Sequence, residues 1–143
     1  MKMVKYNKHL QKRIDINLIY YKFYSKKYIE YEIKNKGKEF DYDDNLLYEG
    51  EFFNGERNGK GKEYEFEKLV FEGEYLNGKR NGYGKEYNGY DDKLIFEGEY
   101  LNGKRNGKGK EYEFGKLIFE GEYLNEKRNG KGKEYEYGKN KRE

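Results

Sequence analysis

Phe71-Glu72-Gly73-Glu74-Tyr75-Leu76-Asn77-Gly78-Lys79-Arg80-Asn81-Gly82 is the stretch on which the fold turns. With Leu69 before them, Phe71, Gly73 and Tyr75 fall on one side of an extended chain, and Val70, Glu72, Glu74 and Leu76 fall on the other. A period of two marks a β-strand; a helix would scatter these rings around its axis. The Asn-Gly pairs that follow tolerate positive φ and stand where a hairpin must reverse.

The first half of this stretch recurs as Tyr48-Glu49-Gly50-Glu51-Phe52, Phe96-Glu97-Gly98-Glu99-Tyr100 and Phe119-Glu120-Gly121-Glu122-Tyr123. The structural glycines Gly50, Gly73, Gly98 and Gly121 are 23, 25 and 23 residues apart. Each block leads through a glycine-asparagine loop to a second block such as Gly109-Lys110-Glu111-Tyr112-Glu113-Phe114. The unit is strand, loop, strand, turn, and stacked units predict an all-β, elongated, single-layer antiparallel β-meander of β-hairpin repeats. Taking Glu67-Lys68 as the turn pairs Phe66 with Leu69, Tyr64 with Phe71 and Lys62 with Gly73, so that all rings share one face. In the longer unit Tyr87 pairs with Phe96, because the two extra residues enlarge the loop Tyr90-Asp91-Asp92-Lys93 and leave strand parity unchanged. This register also sets Glu63 against Glu72, a cost of roughly a few tenths of a kcal/mol.

The composition suits a thin core. Only 34% of residues are hydrophobic and 41% are charged, but 18 Tyr and 9 Phe supply large rings. Charge is unevenly spread. Residues 1–45 hold 11 Lys/Arg against 7 Asp/Glu, whereas residues 46–143 hold 20 against 21. The absence of cysteine excludes disulfides and thiolate metal sites and makes a reducing compartment the default. No run reaches the ~20 apolar residues of a membrane-spanning helix.

The aromatic-Glu-Gly-Glu-aromatic block, followed by Asn-Gly-Lys-Arg-Asn-Gly-x-Gly, resembles the MORN repeat (membrane occupation and recognition nexus) over roughly residues 46–138. It departs from the commoner form in one respect: Tyr64 follows Gly61 by three residues instead of two, which implies a bulge near the glycine or a change in ring facing. The resemblance implies a non-enzymatic scaffold. Such arrays occur in cytoskeletal and membrane-junction proteins and as accessory segments of some lipid kinases and lysine methyltransferases, and none of those catalytic domains is present here.

Around the array (46–138) the sequence sets a basic, aromatic-rich arm (1–27), a degenerate leading hairpin (28–45) and a charged tail (139–143) that discourages edge pairing. In the leading hairpin Ile29, Tyr31 and Ile33 alternate, Asn35-Lys36-Gly37 turns, and Lys38 to Tyr42 returns. In the arm, Leu10, Ile14, Leu18 and Tyr21 fit a helical stripe, while Ile14, Ile16, Leu18 and Tyr20 fit a strand.

Catalytic chemistry finds little to work with. One His (His9), one Ser (Ser25), no Thr and no Cys rule out nucleophile triads within the repeats. The Glu-x-Glu pairs recur at the same position in every unit, which argues for scaffold over a glycosidase pair. Asp41-Tyr42-Asp43-Asp44-Asn45 resembles the start of a calcium loop, but Leu46 and Phe52 occupy the positions that need Gly and Glu. Gly59-Lys60-Gly61 lacks the Lys-Ser/Thr of a phosphate loop. No catalytic residue, metal site or cofactor is assigned.

Two repeating features are candidate binding surfaces. The first is an aromatic face of Phe52, Tyr64, Phe71, Tyr75, Tyr87, Phe96, Tyr100, Tyr112, Phe119, Tyr123 and Tyr135. It is either a partner site left uncovered by a single-layer sheet or rings packed on one another and under the arm. The second is a basic ridge of Arg57, Lys60, Lys79, Arg80, Lys104, Arg105, Lys108, Lys127, Arg128 and Lys131. It is either a phosphate-binding array or an ordinary solvated turn balanced by the Glu-x-Glu carboxylates. The expected partners are other proteins, including a second copy that would cover the aromatic face. The alternative is anionic phospholipid, phosphoinositide or phosphatidic acid, met by the basic loops and the arm; nucleic acid is disfavoured. The expected location is the cytoplasm, peripheral at a membrane or the cytoskeleton.

Overall fold

A computed structural model of the chain describes residues 27–32 and 34–136, together with the backbone of residues 5–6 and 139–140. It is built of β1 (Lys5–Tyr6), β2 (Lys27–Tyr31), β3 (Lys36–Asp41), β4 (Leu46–Phe53), β5 (Glu56–Glu65) and β6 (Lys68–Leu76), followed by β7 (Lys79–Tyr87), β8 (Leu94–Leu101), β9 (Lys104–Glu113), β10 (Lys116–Leu124), β11 (Lys127–Glu136) and β12 (Lys139–Asn140). The strands lie side by side in sequence order, and β2 to β11 run antiparallel. The β-meander of hairpin repeats therefore holds. Two additions extend it: β1 pairs with β2 in parallel, and the tail expected to stop the sheet contributes β12 against β11. The rest of the N-terminal arm, with its helix-or-strand alternatives, lies outside the described residues.

The turns are tighter than the sequence suggests. Asn54-Gly55, Asn77-Gly78 and Asn102-Gly103 are two-residue reversals with positive φ at both positions, the geometry that matches the right-handed twist of flanking strands. The second Asn-Gly of each long loop is not loop at all. Gly82, at φ +95, sits inside β7 at a bulge where the register passes from Gly73↔Gly84 to Tyr75↔Arg80. The cations assigned to loops therefore belong to strands.

The short turn is Phe66-Glu67, one residue earlier than expected, with φ of 49° and 65°. Tyr64 accordingly pairs with Leu69, and a bulge shifts Phe71 onto Glu63, Glu72 onto Lys62 and Gly73 onto Gly61. In the longer unit Tyr87 pairs with Leu94 and Glu86 with Phe96, which corrects the Tyr87–Phe96 pair. The clash of Glu63 with Glu72 disappears, since each faces a different residue. In the leading hairpin Lys36 and Gly37 lie in β3 instead of in the turn, and Gly37 pairs with Gly50.

One consequence of this register decides the packing. Gly37, Gly50, Gly61, Gly73, Gly84, Gly98, Gly109, Gly121 and Gly132 pair successively, forming an unbroken glycine row across β3 to β11. The row clears a lane down one face of the sheet, and the core rings lie in it. Tyr48, Phe71 and Phe96 are wholly buried and Phe52, Tyr75, Tyr100, Phe119 and Tyr123 nearly so. They form one zigzag of edge-to-face contacts: Tyr48–Tyr75, Phe71–Tyr100 and Phe96–Tyr123 link neighbouring hairpins at 5.0 to 5.1 Å, and Phe71–Tyr75 and Phe96–Tyr100 join rings along one strand at 5.6 and 5.7 Å. Each such pair contributes ~0.5–1.5 kcal/mol beyond its buried area, so the rings replace an aliphatic core.

Candidate functional site

The ring face is closed by the chain itself. Arg57, Arg80, Arg105 and Arg128 lay their guanidinium groups over Tyr48, Phe71, Phe96 and Phe119 at 4.5, 4.1, 4.2 and 4.2 Å from the ring centroids. Each arginine bridges two carboxylates. Arg57 pairs with Glu39 at 2.9 Å and Glu63 at 3.1 Å; Arg80 pairs with Glu63 at 2.6 Å and Glu86 at 3.1 Å. Arg105 continues to Glu86 and reaches Glu126 at 4.0 Å, and Arg128 continues to Glu111 and Glu134. Tyr75 and Tyr123 donate hydroxyl hydrogens to Glu63 and Glu111, both at 2.8 Å. Burial alone would push the Glu63 carboxyl up, but the hydrogen bonds and charge of Arg80, helped by Tyr75 and Arg57, hold it below its ordinary value. The result is an ionic lid over an aromatic core.

The opposite face is open and forms a groove in two segments of about 640 and 370 Å³, both lined by Tyr83. Its floor is the back of the glycine row. On either side the strands carry bars of like charge: Glu49 and Glu51 on β4, Lys60 and Lys62 on β5, Glu72 and Glu74 on β6, and Tyr83 with Lys85 on β7. The bars continue with Glu97 on β8, Lys108 and Lys110 on β9, and Glu120 and Glu122 on β10. The acids are held down. Tyr64, Tyr87 and Tyr112 donate to Glu49, Glu72 and Glu97 at 2.6, 2.6 and 2.7 Å. Backbone N–H groups of Tyr83, Lys108 and Lys131, at the bulges, donate to Glu74, Glu99 and Glu122. Burial and then the bond to Glu49 push the Tyr64 hydroxyl up to about 12, so it stays a donor at neutral pH.

The MORN repeat model matches residues 48–64, 71–89, 96–112 and 119–135, each running from a core ring through the Asn turn to or just past the groove-side tyrosine. The chain belongs to the MORN-repeat family. MORN arrays are non-catalytic repeat scaffolds. A solved structure titled "Crystal Structure of TarM" is similar at 16% identity and a TM-score of 0.49, over 90% of this chain and 24% of that one. The chain thus spans about a quarter of that protein's length. No curated protein matches the chain.

Within this MORN array the expected single aromatic face divides in two. Phe52, Phe71, Tyr75, Phe96, Tyr100, Phe119 and Tyr123 are core and not an exposed contact surface. Tyr64, Tyr87, Tyr112 and Tyr135 turn to the groove side, as their bonds to Glu49, Glu72, Glu97 and Glu120 require. The extra residue between Gly61 and Tyr64 carries this change of facing. Because the rings are covered within the chain, no second copy is needed to shield them. The basic ridge divides likewise: Arg57, Arg80, Arg105 and Arg128 are spent on the ionic lid, Lys60, Lys108 and Lys131 stand on the groove side, and Lys79, Lys104 and Lys127 are exposed beside the Asn turns. Sequence reasoning missed Tyr83, which replaces the lysine of the other repeats. The signal was legible in Asn81-Gly82-Tyr83-Gly84 set against Asn106-Gly107-Lys108-Gly109. It also missed an apolar row of Phe53, Leu76, Leu101 and Leu124, each about half exposed on the groove side. Among the described residues no group of three or more His, Cys, Asp or Glu is arranged to hold a metal ion, and no helix is long and apolar enough to cross a membrane.

Proposed function

We propose that the array is a non-enzymatic scaffold that mediates protein–protein interaction, with the groove face as its contact surface. The observation that carries this reading is the difference between the two faces. One is sealed by Arg–Glu pairs over buried rings, and the other presents a trough, in two segments that meet at Tyr83, whose side chains repeat with the hairpins. A linear array of identical contacts suits an extended partner better than a compact small molecule. Such a scaffold works in the cytoplasm, in keeping with a cysteine-free chain, against membrane or cytoskeletal assemblies.

The test reverses two groove cations in the full chain, Lys85→Glu with Lys108→Glu, and compares what co-purifies from the native cell with each form. The variant should lose the proteins that the unmodified chain retains, while its circular dichroism stays the same. Full retention of those proteins removes the groove from the account.

A second reading rests on a separate observation, the cross-strand pairs Leu76↔Lys79, Leu101↔Lys104 and Leu124↔Lys127. They line one edge with exposed leucines beside exposed lysines, a composition suited to an anionic phospholipid surface. Here Leu76→Ser with Leu101→Ser should abolish sedimentation with phosphoinositide vesicles. Equal sedimentation with neutral phosphatidylcholine vesicles would count against this reading.

A further inference from the structure

The groove has a pitch, and the pitch selects a ligand conformation. Lysine bars stand on β3, β5, β7 and β9, with one acidic strand between successive bars. Strands lie ~4.7–4.9 Å apart, so the bars recur every ~9.4–9.8 Å along the groove. A polyproline II chain turns once in three residues and rises ~9.3 Å per turn, which keeps it in step to within ~1.5 Å over three intervals. An α-helix repeats its face every ~10.5 Å over seven residues and drifts by ~2–3 Å over the same distance. A β-strand repeats its face every ~6.6–6.8 Å and comes near to step only at every second bar.

Charge selects the side chains. Lys60, Lys62, Lys85 and Lys108 form no ion pair with any described residue, whereas the neighbouring carboxylates are tied down by tyrosine hydroxyls and bulge N–H groups. Long, flexible ammonium groups therefore reach the ligand first. Yet each lysine bar is flanked by Glu-Gly-Glu bars that repel a uniformly anionic polymer such as a nucleic acid strand, whose charge is unbroken along its length. A chain with one carboxylate in every three residues lays its uncharged residues over the acids. At β7 the half-exposed ring of Tyr83 takes the place of one lysine and offers a flat apolar contact.

We propose that the groove takes an acidic peptide in the polyproline II conformation, lying across the strands with one carboxylate per turn on successive lysine bars and a proline or other apolar residue on Tyr83. The proposal rests on the groove reading above and names the class of partner. Polyproline II segments dock on aromatic surfaces because they are ordered before binding and lose little entropy.

Fluorescence anisotropy with the full chain tests it. One labelled peptide is Glu-Pro-Pro repeated four times; the second has the same composition, with its glutamates at alternate positions from one end and the remaining residues proline. The first should bind about tenfold tighter than the second. Tyr83→Ala should weaken it severalfold, and Lys85→Glu with Lys108→Glu should abolish binding. Equal affinity for the two spacings, no binding of either, or full displacement by an oligouridylate overturns the proposal. If the peptides fail while the double reversal still sheds the cellular partners, only the ligand class is wrong. Retention of those partners by the double reversal would instead bring down the groove reading itself.

Discussion

Gly73 shows how much of this molecule is decided by a missing methyl group. A Cβ built there would lie 2.6 Å from Gly84 Cα and 2.8 Å from Cζ of Phe71, a ring with nowhere to retreat because it is wholly buried. Gly78 has open space around it but a φ of +77°. The two positions therefore fail for different reasons. Gly73→Ala should cost ~1–3 kcal/mol by overpacking, and Gly78→Ala ~1–2 kcal/mol by backbone strain alone. Urea midpoints of the two variants measure this, and only Gly73→Ala should disturb the near-ultraviolet signal of the rings. The repetition of these glycines marked them as structural from the sequence. Their partner across the strand, and hence the lane they clear, needed the register.

At the scale of the hairpin, strand order and repeat boundaries were legible, because alternation and Asn-Gly turns speak directly to local conformation. Register was not. Phe66 reads as one more strand ring, yet it is almost fully exposed at a left-handed turn position that aromatic residues rarely occupy. Placing the turn one residue late moved every pairing and put Tyr64 on the wrong face. The arginines misled for a similar reason: Lys79-Arg80 looks like one solvated pair, but only a planar guanidinium bridges two carboxylates and covers a ring at once. That bridging makes the hairpins sensitive to acid. The Glu63 and Glu111 carboxyls are held below the ordinary 4.5, so they stabilise the fold above that value and cease to do so as pH falls beneath it. The urea midpoint should be level above about pH 5 and drop steeply below about 4.5. Glu63→Gln should start lower and fall less steeply, and an unchanged acid limb in that variant would show that the Arg–Glu pairs contribute little.

Across the whole sheet each strand is hydrogen-bonded only to its sequence neighbours, and the ring and Arg–Glu contacts reach one strand further, so the array behaves as a one-dimensional chain of units. Removing residues 96–118 joins Ile95 to Phe119 and restores the Leu-Ile-aromatic-Glu-Gly-Glu-Tyr pattern. The shortened protein should keep its β-sheet circular dichroism with a lower denaturant midpoint; loss of the β signal would mean that stability is pooled over the whole sheet. The same serial order governs the response to tension. A force drawn along the ribbon finds no strand that spans it, so rupture should proceed one hairpin at a time. Each release of a 23-residue unit pays out roughly 80 Å of slack, which makes the protein an extensible spring in place of a stiff strut.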